Sequence, residues 1–236
     1  MNRLFVSDLH LSEDTPQIER AFYDLLSKED IDELIILGDF FEVWVGDDED
    51  SPLADRVREA LRAFTDSGPL LKIARGNRDF LLGTRFTEQT GAQLLGDETI
   101  LEVAGSSALL MHGDLLCTDD TDYQAFRKLA HDPVWQADAL AKPLEERRQL
   151  AKQLRAMSID AASNKPEDIM DVNEFSVRER MAAAGVTRLI HGHTHRPDRH
   201  VSADGERIVL GDWTETGGWL LRESGAELSL ESFSFA

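Results

Sequence analysis

A single cysteine, Cys117, stands among 236 residues. An intramolecular disulfide is thereby excluded, and a reducing compartment is expected. Positive charge is scarce as well. Lysine and arginine number 25 against 45 acidic residues, for a formal charge of −20. So acidic a chain has no general basic surface for nucleic acid, and no nucleic-acid partner is expected. An anionic substrate would need a local reversal of the field, by metal ions or by a basic segment. No apolar run approaches the roughly 20 residues of a membrane span. No repeat, low-complexity tract or linker divides the chain, and the N-terminus enters a strand too soon for a signal peptide. These absences predict a soluble, cytoplasmic, single-domain protein. With 42% hydrophobic residues it is long enough to bury one good core.

What the chain does have is one device used five times. The apolar run Leu4-Phe5-Val6 ends in Ser7-Asp8-Leu9-His10. Side chains at i and i+2 of an extended chain leave the same face, so Asp8 and His10 can converge just beyond a strand. Leu34–Leu37 ends in Gly38-Asp39, and Leu70–Ala74 in Arg75-Gly76-Asn77-Arg78-Asp79. Leu109–Met111 ends in His112-Gly113-Asp114, and Arg188–Ile190 in His191-Gly192-His193-Thr194-His195.

Between these runs lie helical patterns. Ile18, Ala21, Phe22, Leu25 and Leu26 form an apolar stripe after Thr15-Pro16, and Leu53, Val57, Ala60, Leu61 and Phe64 another after Ser51-Pro52. The β-α-β-α-β rhythm predicts a parallel sheet covered by helices. Glu98–Met111 reads as a hairpin around Gly105, and Glu174–Ala184 as a helix. The stretches Arg207–Leu210, Trp219–Arg222 and Glu227–Phe235 read as one antiparallel meander with a wet face. Residues 121–160 are helical in composition and broken at Pro133 and Pro143. Residues 127–165 hold eight basic side chains against five acidic ones, which marks this segment as a lid.

Asp8, His10, Asp39, Asn77, His112, His191 and His193 would all lie at the carboxyl edge of an open α/β sheet, where ligands gather. Burying two carboxylates among imidazoles without compensation costs several kcal/mol. Two cations sharing a ligand account for all seven side chains. The mixed nitrogen and oxygen donors suit Mn²⁺, Fe²⁺, Co²⁺ or Zn²⁺, and no cysteine pair specifies structural zinc. With neutral histidines the site keeps a charge of about +2, suited to phosphate, and metals about 3.5–4 Å apart stabilise both oxygens of an in-line displacement. Hydrolysis of a phosphate ester or anhydride by a metal-activated water is the expected reaction.

The five strand-end motifs, in this order, resemble those of the calcineurin-like metallophosphoesterases. The resemblance spans residues 8 to 195. It implies an α/β (α+β) fold, a four-layer α-β-β-α sandwich, with an inserted helical lid at about 121–165. It further implies that Asp8, His10, Asp39 and His193 hold one metal, and that Asp39, Asn77, His112 and His191 hold the other, with Asp39 bridging. Manganese is the expected ion, and Asp39, Asn77, Arg78, His112 and His193 the expected catalytic set. His195, Asp114 and Asp212 are candidates for orienting the ligands. Many family members carry a histidine where this chain has Arg78. Arginine cannot act as a general acid near neutrality, but its charge suits a diphosphate whose leaving group is already acidic. The alternative for Arg78 is a surface salt bridge to Asp79.

Within the family, Gly38–Trp44, Gly76–Leu81, His112–Asp114 with Cys117–Asp120, and Ile169–Asn173 resemble the UDP-2,3-diacylglucosamine diphosphatases of lipid A synthesis in Gram-negative bacteria. The resemblance implies attack at the α-phosphorus, giving UMP and 2,3-diacylglucosamine 1-phosphate. By position Asn77, Arg78, Asp120, Ser158, Lys165 and His191 match contacts to the diacylglucosamine phosphate, while Ala162 replaces a common polar residue. Arg155 and Lys165 would bring positive charge to a phosphate, and Phe126, Leu129, Val134, Trp135, Leu140, Leu144, Leu150, Leu154 and Met157 apolar surface to acyl chains. A two-tailed substrate predicts peripheral contact with the cytoplasmic face of the inner membrane. No obligate protein partner is expected. The alternatives are a metallophosphoesterase of another nucleotide anhydride or phosphodiester, and a non-catalytic scaffold; the second is disfavoured because no ligand position is lost.

Overall fold

The run Leu34-Ile35-Ile36-Leu37 has no polar position, so a strand made from it must be covered on both faces. In the computed structural model β2 (Glu33–Leu37) is buried throughout and lies between β1 (Asn2–Val6) and β3 (Leu70–Ala74), parallel to both. The structure describes residues 1–28, 30–163 and 169–235, with backbone alone for 159–163. Lys165 and the side chain of Ala162 therefore lie outside the described residues.

The remaining elements follow in order: α1 (Pro16–Lys28), α2 (Pro52–Asp66), α3 (Thr84–Thr90), β4 (Gln93–Leu94), β5 (Thr99–Val103) and β6 (Ser106–Leu110). Then come α4 (Thr121–Ala130), α5 (Pro133–Leu140), α6 (Leu144–Ser163), α7 (Glu174–Ala184), β7 (Arg188–His191), β8 (Asp198–Ser202), β9 (Gly205–Val209), β10 (Gly217–Ser224) and β11 (Glu227–Ser234). One sheet has the order β11-β10-β1-β2-β3-β4 and the other β5-β6-β7-β9-β8.

Period-two alternation divides the apolar residues into three cores. Leu4, Leu34 and Ile36 face α1 and α2 in one of them. Phe5, Ile35 and Leu37 face Leu110, Ile190 and Ile208 of the other sheet. Leu109 and Leu189 point away, toward Val177 and Met181 of α7. Helices, sheet, sheet and helix thus form four layers, as expected.

The C-terminal meander is a correction. β9 pairs with β7 and β8 in the second sheet, whereas β10 and β11 form a hairpin that joins β1 in the first. Alternation identifies strands but not the sheet that receives them. Here Gly211-Asp212-Trp213 crosses between the sheets, and the Trp213 amide donates to the Asp8 carbonyl at 3.0 Å.

Helices α4–α6 are broken where expected. Pro133 opens α5 behind an Asp132 cap whose side chain accepts from the amides of Val134 and Trp135. Arg147 of α6 is nearly buried; it donates to the carbonyls of Val45 (2.6 Å) and Lys142 (3.0 Å) and pairs with Asp48. Arg148 pairs with Glu49 and Asp50. The basic face of α6 is therefore matched to the acidic loop after β2, not left open.

Candidate metal centre and adjoining cavity

The strand ends meet through unusual backbone. Among the described residues six non-glycine positions have positive φ, and five of them are Asp8 (55°), His10 (50°), Asp39 (50°), His193 (70°) and His195 (55°). Such conformations cost on the order of 1–3 kcal/mol each and persist only where the surroundings impose them. Hydrogen bonds do so here: the amides of Asp8 and His10 donate to the carbonyls of Gly38 and Asp39 at 3.1 and 3.0 Å. Close approach does the rest. A Cβ on Gly76 would overlap the carboxylate and amide of Asp39, and one on Gly192 would overlap Ser7 and Asp8. Buried Asp79 accepts from the amides of Gly76 (2.6 Å) and Phe40 (2.7 Å), fastening the two loops together. Burial and the charge of Asp39 push its carboxyl up to about 6.

Two groups of donors result. In the first, Nε2 of His195 is 3.4 Å from Oδ1 of Asp8 and 3.4 Å from Nε2 of His10. In the second, Oδ1 of Asn77 is 3.0 Å from Nε2 of His112 and 2.9 Å from Nδ1 of His193. Asp39 spans both, with Oδ1 3.6 Å from His112 and Oδ2 3.9 Å from His10.

These residues fit cations. Oδ2 of Asp8 accepts from Ser7 Oγ and the His193 amide, but buried Oδ1 has no hydrogen-bond partner. The Asn77 oxygen faces imidazole nitrogens; turned over, the amide would give them its NH₂ and place its oxygen 3.3 Å from Arg78 Nε. The orphaned carboxylate oxygen of Asp8, with imidazoles and the Asn77 amide converging beside it, is what a divalent ion would satisfy. The nest also draws positive charge. Burial opposes it, yet Asp39 and Asp8 raise His112 to about 9, and Asp212 and Asp8 raise His195 to about 10.

His191 is the main correction. It ends β7 fully buried, and its Nδ1 donates to the Gly192 carbonyl at 2.8 Å while Nε2 faces Arg207 Nη1 at 3.5 Å. Neither nitrogen faces the nest and the ring does not line the cavity, so His191, contrary to expectation, is not placed with the donors. His195 takes a place in the first group and His193 joins the second. Burial, reinforced by Arg207, pushes His191 down to about 3. Its unfolded form therefore takes up a proton first, and stability is lost as pH falls from about 6.5 toward 3, by at most about 1.4 kcal/mol per unit. Urea midpoints of the metal-free protein should fall more steeply over this window than those of His191→Asn. Parallel curves would refute it.

Arg78 does not pair with Asp79, whose oxygens are taken by backbone amides. Its amide donates to Asp39 Oδ1 at 2.8 Å, and its guanidinium lies 3.8 Å from Asp39 and 3.5 Å from Glu42. Asp114 anchors α4 by accepting from Tyr123 Oη and Arg127 Nε, both at 2.6 Å. Asp212 lies 3.4 Å from Nδ1 of His195. Glu42 was not foreseen as a site residue, yet it lies 3.1 Å from Nδ1 of His10 and accepts from Arg155 of α6 at 2.7 Å.

A cavity of about 580 Å³ opens from Asn77, Arg78 and His193 and runs beneath α4–α6, against Phe126, Trp135 and Leu154. Asp120, which caps α4, and Ser158 also line it, as does Arg155.

A sequence profile of the calcineurin-like phosphoesterases matches residues 1–197. The chain is 49% identical over 239 residues to the UDP-2,3-diacylglucosamine hydrolase of Cellvibrio japonicus, covering 99% of each. It is 48% identical to the protein of that name from Chromobacterium violaceum, covering 96% of this chain and 97% of that one. A solved archaeal phosphodiesterase shares the fold, with a TM-score of 0.50, 14% identity and 99% of each chain covered. With strand-end donors in the order of its sequence motifs, and a match over most of its length, this chain belongs to the calcineurin-like phosphoesterase family.

Proposed function

We propose that the protein hydrolyses the diphosphate of UDP-2,3-diacylglucosamine to UMP and 2,3-diacylglucosamine 1-phosphate. The observation that carries this reading is the continuity of a donor nest fit for two cations with an apolar cavity of about 580 Å³. Near-full-length relatives bearing the name of that hydrolase support the choice of substrate.

Asp8, His10, Asp39 and His195 would hold one divalent ion and Asp39, Asn77, His112 and His193 the other; manganese is the ion proposed. When bound, such ions supply Lewis acidity at the phosphate and lower the pKa of water toward about 7. The chain's own residues do the rest. Asn77 and Arg78 orient the diphosphate at the cavity mouth, and the Arg78 guanidinium stabilises charge that develops on it. With attack at the α-phosphorus, the sugar phosphate departs as an acidic group needing no proton, so a permanently charged arginine suffices. Helices α4–α6 act as a lid, their apolar side chains receiving acyl chains. Asp120 and Ser158 lie where the sugar would pass.

Release of UMP from UDP-2,3-diacylglucosamine with Mn²⁺ tests the reading, beside a diadenosine polyphosphate as comparison substrate. Turnover of the soluble substrate alone would overturn it. Among the described residues no helix is long and apolar enough to cross a membrane. Leu129, Val134 and Met157 nevertheless stand 52–69% exposed on the lid, and we place peripheral contact with the inner membrane there. Exchanging the three for serine should shift the protein from membrane to soluble fractions; an unchanged partition would count against this contact.

A further inference from the structure

The imidazoles of the nest differ in what stands behind them. Nδ1 of His10 lies 3.1 Å from Oε2 of Glu42, and Nδ1 of His195 lies 3.4 Å from Oδ2 of Asp212. His112 is backed by a peptide carbonyl, that of Leu37, at 2.9 Å. His193 turns its Nδ1 inward, to Asn77. Both rings with anionic backing thus belong to the Asp8 group, and their Nε2 atoms meet 3.4 Å apart. The other group holds a neutral amide in Asn77.

Glu42 is held for this work from three sides. Its amide donates to the Leu11 carbonyl at 3.1 Å, pinning its backbone beside His10. Arg78 and Arg155 both engage Oε1, at 3.5 and 2.7 Å, which leaves Oε2 for His10. The approach to His10 is off the hydrogen-bond line, so Nδ1 is otherwise buried without a bond, and Glu42 is the acceptor in reach. Asp212 is carried by the segment that crosses between the sheets, next to Trp213, whose amide holds the Asp8 carbonyl. A carboxylate behind an imidazole accepts from its near N–H, which leaves the lone pair of the far nitrogen free to bind a cation and makes that nitrogen more basic.

We infer that Glu42 and Asp212 are positioning residues that make Asp8, His10 and His195 the tighter of two unequal cation places, so that the centre fills in order, this place first. The inference rests on the metal reading above and adds to it an inequality and its cause. Asp39 is shared and favours neither side. Asp8 reaches His112 as well as His10 and His195, so the difference comes from two carboxylate-backed imidazoles against a neutral amide with one carbonyl-backed ring.

The test is a titration of the metal-free protein with Mn²⁺, reading free ion by electron paramagnetic resonance and heat by calorimetry. Two steps separated by at least about tenfold are expected, on the scale that such supporting carboxylates set. Glu42→Ala and Asp212→Ala should each weaken the tighter step about 10- to 100-fold and leave the weaker step nearly unchanged. Glu42→Gln and Asp212→Asn, which keep an acceptor but lose its charge, should fall between and cover the case in which an alanine variant fails to fold. One constant for both places in the wild type, or equal weakening of both steps, would overturn the inference while leaving the hydrolase reading intact. Failure to bind Mn²⁺ at all would overturn both.

Discussion

Turnover should fall at least about a thousandfold, a loss of about 4 kcal/mol of transition-state stabilisation, when Asp39 is replaced by asparagine. Its two oxygens face different halves of the nest, Oδ1 toward His112 and Oδ2 toward His10. An amide can offer its oxygen to one half alone and would turn an NH₂ on the other. Neutralising buried Asp39 relieves its repulsion of Asp79, but it also removes the attraction that helps hold His112 up at about 9. The metal-free variant should therefore melt near the wild-type temperature while the gain in stability from added Mn²⁺ shrinks. More than a tenth of wild-type turnover in Asp39→Asn would sink the bridging role.

Arg78→Ala should cost about 10²- to 10³-fold in kcat, the usual effect of removing one donor aimed at developing charge. The loss should come without loss of metal. The Arg78 contact with Asp39 that shapes the nest runs through its amide, at 2.8 Å, which alanine keeps. The guanidinium, 3.8 Å from Asp39 and bordering the cavity, is the part removed. Arg78→Lys should recover only part of the rate, since a point charge does not reproduce the planar fork. If Arg78→Ala binds two ions and turns over at near the wild-type rate, the diphosphate does not lie against this side chain.

Strand interiors were the most legible part of the sequence. Glu33–Leu37 and Leu70–Ala74 form β2 and β3 at the expected residues, and in β2, covered on both faces, nearly every position must be aliphatic. The Pro133 and Pro143 breaks were legible for the opposite reason, since proline lacks the donor a helix interior needs. Of the histidine run, only the presence of ligands could be read. His191, His193 and His195 are spaced by two, so all three would share one face of an extended chain, and spacing cannot choose between them. The choice is made by the backbone: β7 ends at His191, and positive φ at His193 and His195 turns both rings out of the strand pattern. Glu42 was hidden because its partner, His10, is distant in sequence and the carboxylate touches a ring's far side. One missed signal was available. Asp48-Glu49-Asp50 is an acidic run in search of a basic partner, and Arg147-Arg148 supplies it. Matching the two would have docked α6 against that loop.

The position of β1 has a consequence for how the chain must be made. It sits between β2, in register from Arg3 and Glu33, and β10, in register from Asn2 and Ser224. While the polypeptide is being synthesised, one flank of this strand can be zipped early, but the other stays bare until nearly the whole chain has emerged. Pairing over such a distance is slow, and a naked β edge in the meantime invites contacts with other chains. A fragment ending before β10 would carry every donor of the nest, from Asp8 to His195, and still come out of the ribosome sticky: its fate is aggregation, not catalysis.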